Sequence, residues 1–426
     1  MDVMALATAA RGEGPLCDPC LGRVVADRSY GLSNGERGAA LRVGSHLQED
    51  TPMEPVDAEG CWVCGGLTRT FDAWADRCVD AVSGTEFETY QVGSRPPPLV
   101  VENDRLLREL IGVDPEAGES IRSEVNREVG KRIGARTATT VDFTRPDVQF
   151  IIDVAADTVV VEVNSAFVYG RYRKLRRDIP QTKWPCSECD GTGRAGTTPC
   201  PGCEGTGYRY RTSVEQEVAP IIEQIMDGVD SRFHGAGRED VDARMLGEGR
   251  PFVVEVLEPR RRTVDTEALT RAVNTAADGV VAVSPLRHAT YEQVERVKSL
   301  PASKRYRAEV RFEGPVEASE LSTAMEALIA EPIEQYTPHR VDHRRAGLTR
   351  VRSVYSASVE ACEGAEATLD IHGEGGLYIK ELISGDDGRT EPSVAELMGM
   401  PATVTALDVL AVIGEDEPFE DPAFLR

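Results

Sequence analysis

The chain has 426 residues and a mass of 46.3 kDa; 41% of its residues are hydrophobic and 28% are charged. This length and composition predict several domains with packed cores and exclude a wholly disordered chain. No apolar run approaches the roughly 18 residues that a membrane span needs, and the N-terminus lacks the features of a secretory signal. We therefore expect a cytoplasmic protein with no membrane partner.

Acidic residues outnumber basic ones: 72 Asp and Glu against 48 Lys and Arg give a formal net charge of −24. A charge of this sign argues against a nucleic-acid partner, because phosphates are neutralised by cations. Only six of the 48 basic residues are Lys, however, and this pattern is typical of adaptation to high salt. An acidic protein from a GC-rich genome is the alternative. Net charge therefore does not identify the kind of partner, and we infer it from where the cations cluster along the chain.

Residues 1–75 contain two C-x-x-C pairs, Cys17 with Cys20 and Cys61 with Cys64. Two such pairs can place four thiolates around one Zn²⁺ in a closed, structural site. In a cytoplasmic chain we prefer this interpretation to disulfides. The sequence therefore predicts an N-terminal zinc-binding region.

Residues 76–180 have the pattern of a compact α/β unit. Apolar spacing predicts a helix over 120–133, and β-branched runs predict strands over 148–152 and 158–163. From 171 to 211, nine Arg and Lys are interleaved with Tyr against four acids, a pattern that indicates nucleic-acid binding; a solvated basic segment is the alternative. The predicted RNA contacts are Arg171, Arg173, Lys174, Arg176 and Arg177.

An internal repeat lies within residues 181–212. Cys186-Ser-Glu-Cys189-Asp-Gly-Thr-Gly is followed by Cys200-Pro-Gly-Cys203-Glu-Gly-Thr-Gly. These four Cys predict a second structural zinc site, and a redox dithiol is the alternative. With four sulfurs and no open position, neither site is expected to be catalytic. The sequence leaves open whether one or two zinc ions are bound.

Residues 213–426 are predicted to form one mixed domain. The predicted helices cover 214–227, 265–277, 290–299 and 318–330, and the predicted strands cover 252–256, 279–283 and 306–312. Because helices and strands alternate irregularly, we expect an α+β fold with an antiparallel or mixed sheet.

A Gly-rich loop in this domain carries a dense cluster of charges, Gly237-Arg238-Glu239-Asp240-Val-Asp242. Concentrated charges cost free energy unless they are partnered, so we interpret the loop as an active-site loop, with an ion-paired turn as the alternative. Two later Arg-rich segments, 260–262 and 337–352, are plausible phosphate-binding segments, with a solvated loop as the alternative. The predicted contacts there are Arg260, Arg261, Arg344 and Arg345.

Three segments carry a family resemblance, at 237–261, 304–310 and 376–383. They resemble the archaeal and eukaryotic tRNA pseudouridine synthases that act on uridines 54 and 55. GREDVDARMLGEGRPFVVEVLEPRR (237–261) contains their G-R-x-D motif, and KRYRAEV (304–310) resembles the strand that bears the active-site Tyr. GLYIKELI (376–383) resembles their G-x-Y-[IV]-[RK] strand. The paired Cys, and a unit at 76–180 that resembles a THUMP RNA-binding domain, extend the resemblance to nearly the whole chain.

This resemblance implies that residues 213–426 form a pseudouridine synthase domain. The protein would then isomerise uridine in the TΨC loop of tRNA without an organic cofactor. We expect it to be a monomer. The implied catalytic residue is Asp240, as nucleophile or base, and Asp242 is a weaker candidate. Arg238 and Lys380 would hold Asp240 ionised, and Tyr306 would stack on the flipped base. Ile379 and Leu407 would form apolar walls of the pocket.

Two other functions remain possible from the sequence. The C-x-x-C-x-G-x-G repeats resemble the cysteine-rich region of J-domain chaperones, so a non-catalytic zinc-bearing chaperone or tRNA-binding protein is the main alternative. The chain lacks the His-Pro-Asp tripeptide of a J-domain. A methyltransferase would need a Gly-rich cofactor loop between a strand and a helix, and none is found.

Overall fold

The computed structural model describes residues 2–28, 30–53, 56, 58–344 and 346–426, without the side chains of His343 and Arg344. The chain divides into two compact units, Met1–Asn164 and Ser165–Arg426. Among the described residues, no helix is both long and apolar enough to cross a membrane.

The first unit combines a helical N-terminal part with a small sheet. Its helices are α1 (Val3–Gly12), α2 (Asp18–Arg23), α3 (Asn34–Glu49), α4 (Phe71–Ala81), α5 (Pro98–Leu110) and α6 (Ile121–Thr137). Its strands are β1 (Thr89–Arg95), β2 (Thr140–Val141), β3 (Val148–Asp153) and β4 (Thr158–Val163). The strand order is β2-β1-β3-β4, in which β1 is parallel to both neighbours and β3 is antiparallel to β4.

Helix α6 and strands β3 and β4 confirm the elements predicted for this part of the chain. The Ser120 side chain accepts a hydrogen bond from the Ser123 backbone N–H at the start of α6, which satisfies one of the free donors there. Val125, Val129 and Ile133 are fully buried. The core that they enter also contains β1, β3 and the four N-terminal Cys. The boundary predicted at 75/76 therefore does not separate two cores.

The second unit is built on a larger sheet. Its strands are β5 (Ala166–Lys174), β6 (Arg194–Ala195), β7 (Thr198–Pro199), β8 (Asp230–Gly235), β9 (Arg244–Leu257), β10 (Val281–Val283), β11 (Arg287–Ala289), β12 (Ala302–Phe312), β13 (Ile333–Tyr336), β14 (Thr349–Arg352), β15 (Val354–Glu363), β16 (Glu366–Gly373), β17 (Thr390–Glu391) and β18 (Ala402–Gly414). Its helices are α7 (Val214–Met226), α8 (Thr266–Ala276), α9 (Tyr291–Ser299), α10 (Ala318–Ala330), α11 (Ile379–Ser384) and α12 (Val394–Met398).

The nine-stranded sheet has the main order β10-β5-β9-β18-β12-β16-β15, with β11 beside β5 and β8 beside β9. Strands β9 and β18 are parallel, and the other pairs are antiparallel. This mixed sheet with its helices confirms the predicted α+β fold. Strands β13, β14 and β17 form a separate small sheet, and β6 and β7 form a hairpin.

The structure corrects two sequence-based expectations and adds one unpredicted strand. Residues 166–174 were expected to belong to the unit at 76–180, but they form β5, which pairs with β9 and belongs to the second unit. The segment GLYIKELI was expected to be a strand, yet residues 379–384 form helix α11, with Tyr378 at its N-cap. Strand β8 was not predicted, although it leads directly into the G-R-E-D loop.

Candidate active site

The loop between β8 and β9 carries the G-R-E-D sequence. Gly237 has a φ of +71°, in the left-handed region that favours glycine. A Cβ at this position would lie 3.4 Å from Nη1 of Arg250 and 4.0 Å from Nζ of Lys304, so the backbone passes close to two cations. The Nε2 of Gln181 donates a hydrogen bond to the Gly237 carbonyl oxygen at 2.8 Å and fixes this point of the loop.

Asp240 lies between two cations that come from distant parts of the chain. Its Oδ2 is 3.0 Å from Nη1 of Arg340 and 3.5 Å from Nζ of Lys380. Lys380 also donates to both carboxylate oxygens of Asp242, at 2.7 and 2.9 Å. Burial acts against ionisation of Asp242, but the hydrogen bond and charge of Lys380 outweigh it and lower the pKa of that carboxyl. With 34% of its side chain exposed, Asp240 is an ion-paired carboxylate that solvent can reach.

Arg340, rather than Arg238, is the arginine beside Asp240. The Arg340 guanidinium also pairs with the buried carboxylate of Glu381 at 2.6 Å. Arg238 is exposed, and its guanidinium carbon lies 5.3 Å from the centre of the Trp184 ring in a cation–π contact. The expectation that Arg238 pairs with Asp240 is therefore corrected. No spacing rule links Arg340 to Asp240, because the two residues lie 100 positions apart in the chain.

A buried polar network supports the loop from within the domain. Glu239 is only 6% exposed and accepts hydrogen bonds from Nε of Arg250 and from the Tyr172 hydroxyl, both at 2.8 Å. The Nε2 of Gln181 donates to the same hydroxyl at 2.8 Å. Arg250 and the role of Glu239 were not identified from the sequence. The only local signal is that Arg250 stands just before the apolar segment 252–256 of β9.

Lys174 belongs to this network and is fully buried. Its Nζ donates to the carbonyl oxygens of Ile179, Asp240 and Val241 at 2.8, 3.1 and 3.2 Å. Burial lowers the pKa of Lys174, although the charge of Glu239 opposes this effect. The prediction that Lys174 contacts RNA is wrong, because its ammonium group is enclosed and holds the backbone of the loop.

The three apolar or aromatic residues expected in the pocket are buried near this loop. Tyr306 on β12, Leu407 on β18 and Ile379 at the start of α11 are 7%, 8% and 3% exposed. Strands β12 and β18 are direct neighbours. Burial raises the pKa of Tyr306 to about 12; Arg250 opposes this shift and the nearby Asp240 carboxylate adds to it. Tyr306 is therefore a neutral phenol within electrostatic reach of Asp240.

The other predicted RNA contacts fall into two groups. Arg171 and Arg177 are half-buried and engaged within the domain: Arg171 pairs with Glu420 at 2.7 Å, and Arg177 donates to the Leu407 carbonyl at 2.7 Å and to Asp408 at 2.8 Å. The exposed group consists of Arg173, Arg176, Arg260 and Arg261. The Arg344 side chain and Arg345 lie outside the described residues.

The eight paired Cys form two clusters, Cys17, Cys20, Cys61 and Cys64 in the first unit and Cys186, Cys189, Cys200 and Cys203 in the second. Within each cluster the four Sγ atoms lie within 4.8 Å of one another, and all four residues are buried. In the second cluster, the Gly193 and Gly207 backbone N–H groups donate to the Sγ atoms of Cys189 and Cys203 at 3.3 and 3.2 Å. Four converging soft donors with such support fit a tetrahedral metal ion.

Comparison with known families assigns the chain. The family model described as "Pus10, C-terminal" matches residues 167–413, and "Pus10 THUMP domain, archaeal" matches residues 74–153. The chain belongs to the Pus10 family. The Pus10 C-terminal match begins within β5, in agreement with the place of this strand in the sheet of the second unit.

Pus10 relatives match over nearly the full chain. A tRNA pseudouridine synthase Pus10 from Halorubrum lacusprofundi is 61% identical over 426 residues, which is all of both chains. The proteins of the same name from Methanothrix thermoacetophila and Pyrococcus furiosus are 40% and 39% identical, over 97% and 95% of this chain and 95% and 96% of their own. Pseudouridine synthases are isomerases, and the predicted enzyme class is confirmed by this membership of the Pus10 family.

Solved structures give a weaker likeness. The "Crystal Structure of a Cbf5-Nop10-Gar1 Complex" matches with a TM-score of 0.31 and 21% identity, over 48% of this chain and 46% of that one.

Proposed function

We propose that this chain isomerises uridine 54, uridine 55 or both to pseudouridine in the TΨC loop of tRNA. The observation that carries the proposal is the Asp240 carboxylate, ion-paired to Arg340 and Lys380 on a loop beside the buried Tyr306. The names of the Pus10 relatives support tRNA as the substrate.

The reaction breaks the N1–C1′ bond of uridine, turns the freed uracil and joins C5 to C1′. One proton leaves C5 and one is gained at N1, so nothing is oxidised or hydrolysed and no organic cofactor is needed. Asp240 acts at the nucleoside as nucleophile or as base. Its ion pairs with Arg340 and Lys380 hold the carboxylate in place.

The target uridine has to leave its stack to reach Asp240. Tyr306 supplies an aromatic surface against which the flipped base stacks. Ile379 and Leu407 form apolar walls that exclude water, because both side chains are buried beside the loop. Tyr306 enters this pocket as a neutral phenol, which suits stacking better than a phenolate would.

The RNA is bound by the exposed cations of the second unit. Arg173, Arg176, Arg260 and Arg261 are exposed and suit phosphate contacts, and we assign Arg344 and Arg345 the same role from their sequence context. Arg238 contributes differently: with Trp184 it presents a flat guanidinium and an indole ring beside the catalytic loop, a surface on which an unstacked base can lie.

Zinc is the metal we propose for both clusters, one ion in each, with a structural role. The four-Cys donor sets leave no open position for a substrate. We further propose that the protein is a cytoplasmic monomer. Its composition supports adaptation to high salt, since 42 of its 48 basic residues are Arg and acids are in large excess.

The test measures pseudouridine in a tRNA transcript after incubation in high salt. Asp240→Asn removes the charge at nearly constant shape, and we expect at least a 10³-fold loss of product. Asp242→Asn is the matched control, because Asp242 shares Lys380 but is only the weaker candidate, and it should retain most activity. Tight tRNA binding by a wild-type protein that forms no pseudouridine would favour the non-catalytic RNA-binding alternative. Activity that survives in Asp240→Asn would move the assignment to another carboxylate.

A further inference from the structure

Lys304 is a cation of the active site to which the resemblance assigns no role. It lies on β12, two residues before Tyr306, and side chains two apart on a strand share one face. Tyr306, Ala308 and Val310 on this face are buried, whereas Arg305 and Glu309 on the other face are exposed. Lys304 therefore extends the inward-facing row that carries the pocket tyrosine.

The ammonium group of Lys304 reaches the catalytic loop. Its Nζ is 4.0 Å from the position that a Cβ on Gly237 would occupy, three residues before Asp240. Two charged residues face it: Arg250 of β9 repels it, and Glu415, just after β18, attracts it from beyond ion-pair distance. Within the part of the chain that the structure describes, Nζ makes no hydrogen bond or ion pair. The charged side chains next to Gly237 are engaged elsewhere, with Arg238 on Trp184 and Glu239 on Arg250.

A mostly buried cation without a partner is costly, and burial is the main reason that the pKa of Lys304 falls to about 8. The network beneath the loop does not use this residue: Glu239 is satisfied by Arg250 and Tyr172. Lysine is also scarce in this chain, with six residues in 426, so arginine has not replaced it at this position as it has elsewhere. A mostly buried ammonium group without a partner, placed beside the loop, is suited to bind an anionic ligand.

We propose that Lys304 binds an anionic oxygen of the flipped nucleotide during isomerisation. The inference rests on the proposed function. When N1–C1′ breaks, the bonding electron pair stays with uracil and its negative charge spreads over N1, O2 and O4. When C5 bonds to C1′, the C5 proton leaves and N1 is protonated, which removes that charge. A preorganised ammonium group stabilises charge that develops in the reaction. The phosphate beside the target uridine is the other source of such an oxygen.

The test compares Lys304→Met and Lys304→Arg with the wild type in single-turnover pseudouridine formation on tRNA. We expect Met to reduce kcat/KM by about 10²-fold and Arg to restore much of it. Lys298→Met, which removes an exposed lysine from α9, is the matched control and should leave the rate unchanged.

The pH profile separates binding by the ammonium group from a structural role. The wild-type rate should fall as the pH rises through about 8, because the amine loses its proton there. In Lys304→Arg this decline should move to higher pH, since guanidinium stays protonated. The inference is overturned if Lys304→Arg does not restore the rate that Lys304→Met loses and the decline of the rate at alkaline pH stays the same. Lys304 would then have only a packing role.

Substrate chemistry distinguishes the two oxygen sources. A tRNA with a neutral methylphosphonate beside the target uridine should abolish the difference between wild type and Lys304→Met if the phosphate is the partner. The difference should persist, mainly in kcat, if the oxygen belongs to uracil. An active wild type with an equally active Lys304→Met contradicts this inference alone, whereas an inactive wild type contradicts the proposed function.

Discussion

At the scale of single residues, the G-R-E-D loop depends most directly on the pairing of Glu239 with Arg250. Their side chains are 0% and 1% exposed, and Nε of Arg250 lies 2.8 Å from Oε2 of Glu239. Such a pair adds little over an apolar pair of the same shape, but the loss of one partner leaves a buried charge uncompensated. Because Arg250 pairs with the buried Glu239, it holds in place the residues that precede Asp240.

We expect Arg250→Met to destabilise the protein by about 3–5 kcal/mol, because Glu239 then loses its hydrogen-bonded cation and keeps only Lys174, whose Nζ lies 3.8 Å away. Urea unfolding at constant high salt, followed by circular dichroism, measures this difference. The matched control is Arg311→Met, whose partner Glu366 is 67% exposed, and its effect should stay within about 1 kcal/mol. Equal effects of the two variants would show that the buried pair has no special role.

At the scale of elements, the sequence predicted five of the twelve described helices and five of the eighteen described strands, chiefly the longer ones, and placed β5 in the wrong unit. Helix α6 and strands β3, β4 and β12 were predictable because burial on one face leaves a periodic apolar pattern. The assignment of β5 to the second unit was not, since pairing with β9 joins segments some 80 residues apart and leaves no local mark. Helix α11 was expected to be a strand because the expectation was taken over from the motif resemblance, and a six-residue element is too short for apolar periodicity to correct it.

The candidate site also contains residues that the sequence identifies and residues that only the fold brings together. Asp240, Tyr306, Ile379, Lys380 and Leu407 came from motif resemblance, and the structure brings all five to one loop region. The partners that hold the loop depend on side-chain contacts across the fold, and no spacing rule locates them. The set that the sequence missed consists of Arg340, Arg250, Tyr172 and Gln181.

Each Cys cluster should hold its own metal ion, which gives two zinc ions per chain by native mass spectrometry. Cys200→Ser removes one of four donors, and we expect it to reduce the metal content to one ion while the first cluster stays loaded. Cys362→Ser, which changes a cysteine outside both clusters, is the matched control and should retain two ions. A wild-type value of one ion would contradict the assignment of one ion to each cluster.

For the whole molecule, the net charge of −24 predicts a dependence on salt. Carboxylates repel one another over about 10 Å in 0.1 M salt but only about 3 Å in 1 M salt. The unfolding temperature should therefore rise between about 0.1 M and 2 M KCl, as followed by circular dichroism. Sucrose favours compact states by exclusion without screening and serves as the control. A protein that is most stable near about 0.1 M KCl would need another explanation for its acidity.

Half of the lysines in the chain surround one loop. Lys174 lies beneath it, Lys304 beside it and Lys380 against its carboxylates, while the other three, at 131, 183 and 298, are exposed. Reductive methylation with ¹³C-formaldehyde would therefore place very few labelled amines on a protein of 46.3 kDa. Lys174 should resist the reagent while the fold is intact, and the resonances of Lys304 and Lys380 would report substrate entry. Because lysine is so scarce, NMR can follow the G-R-E-D loop through these amines without labelling the backbone.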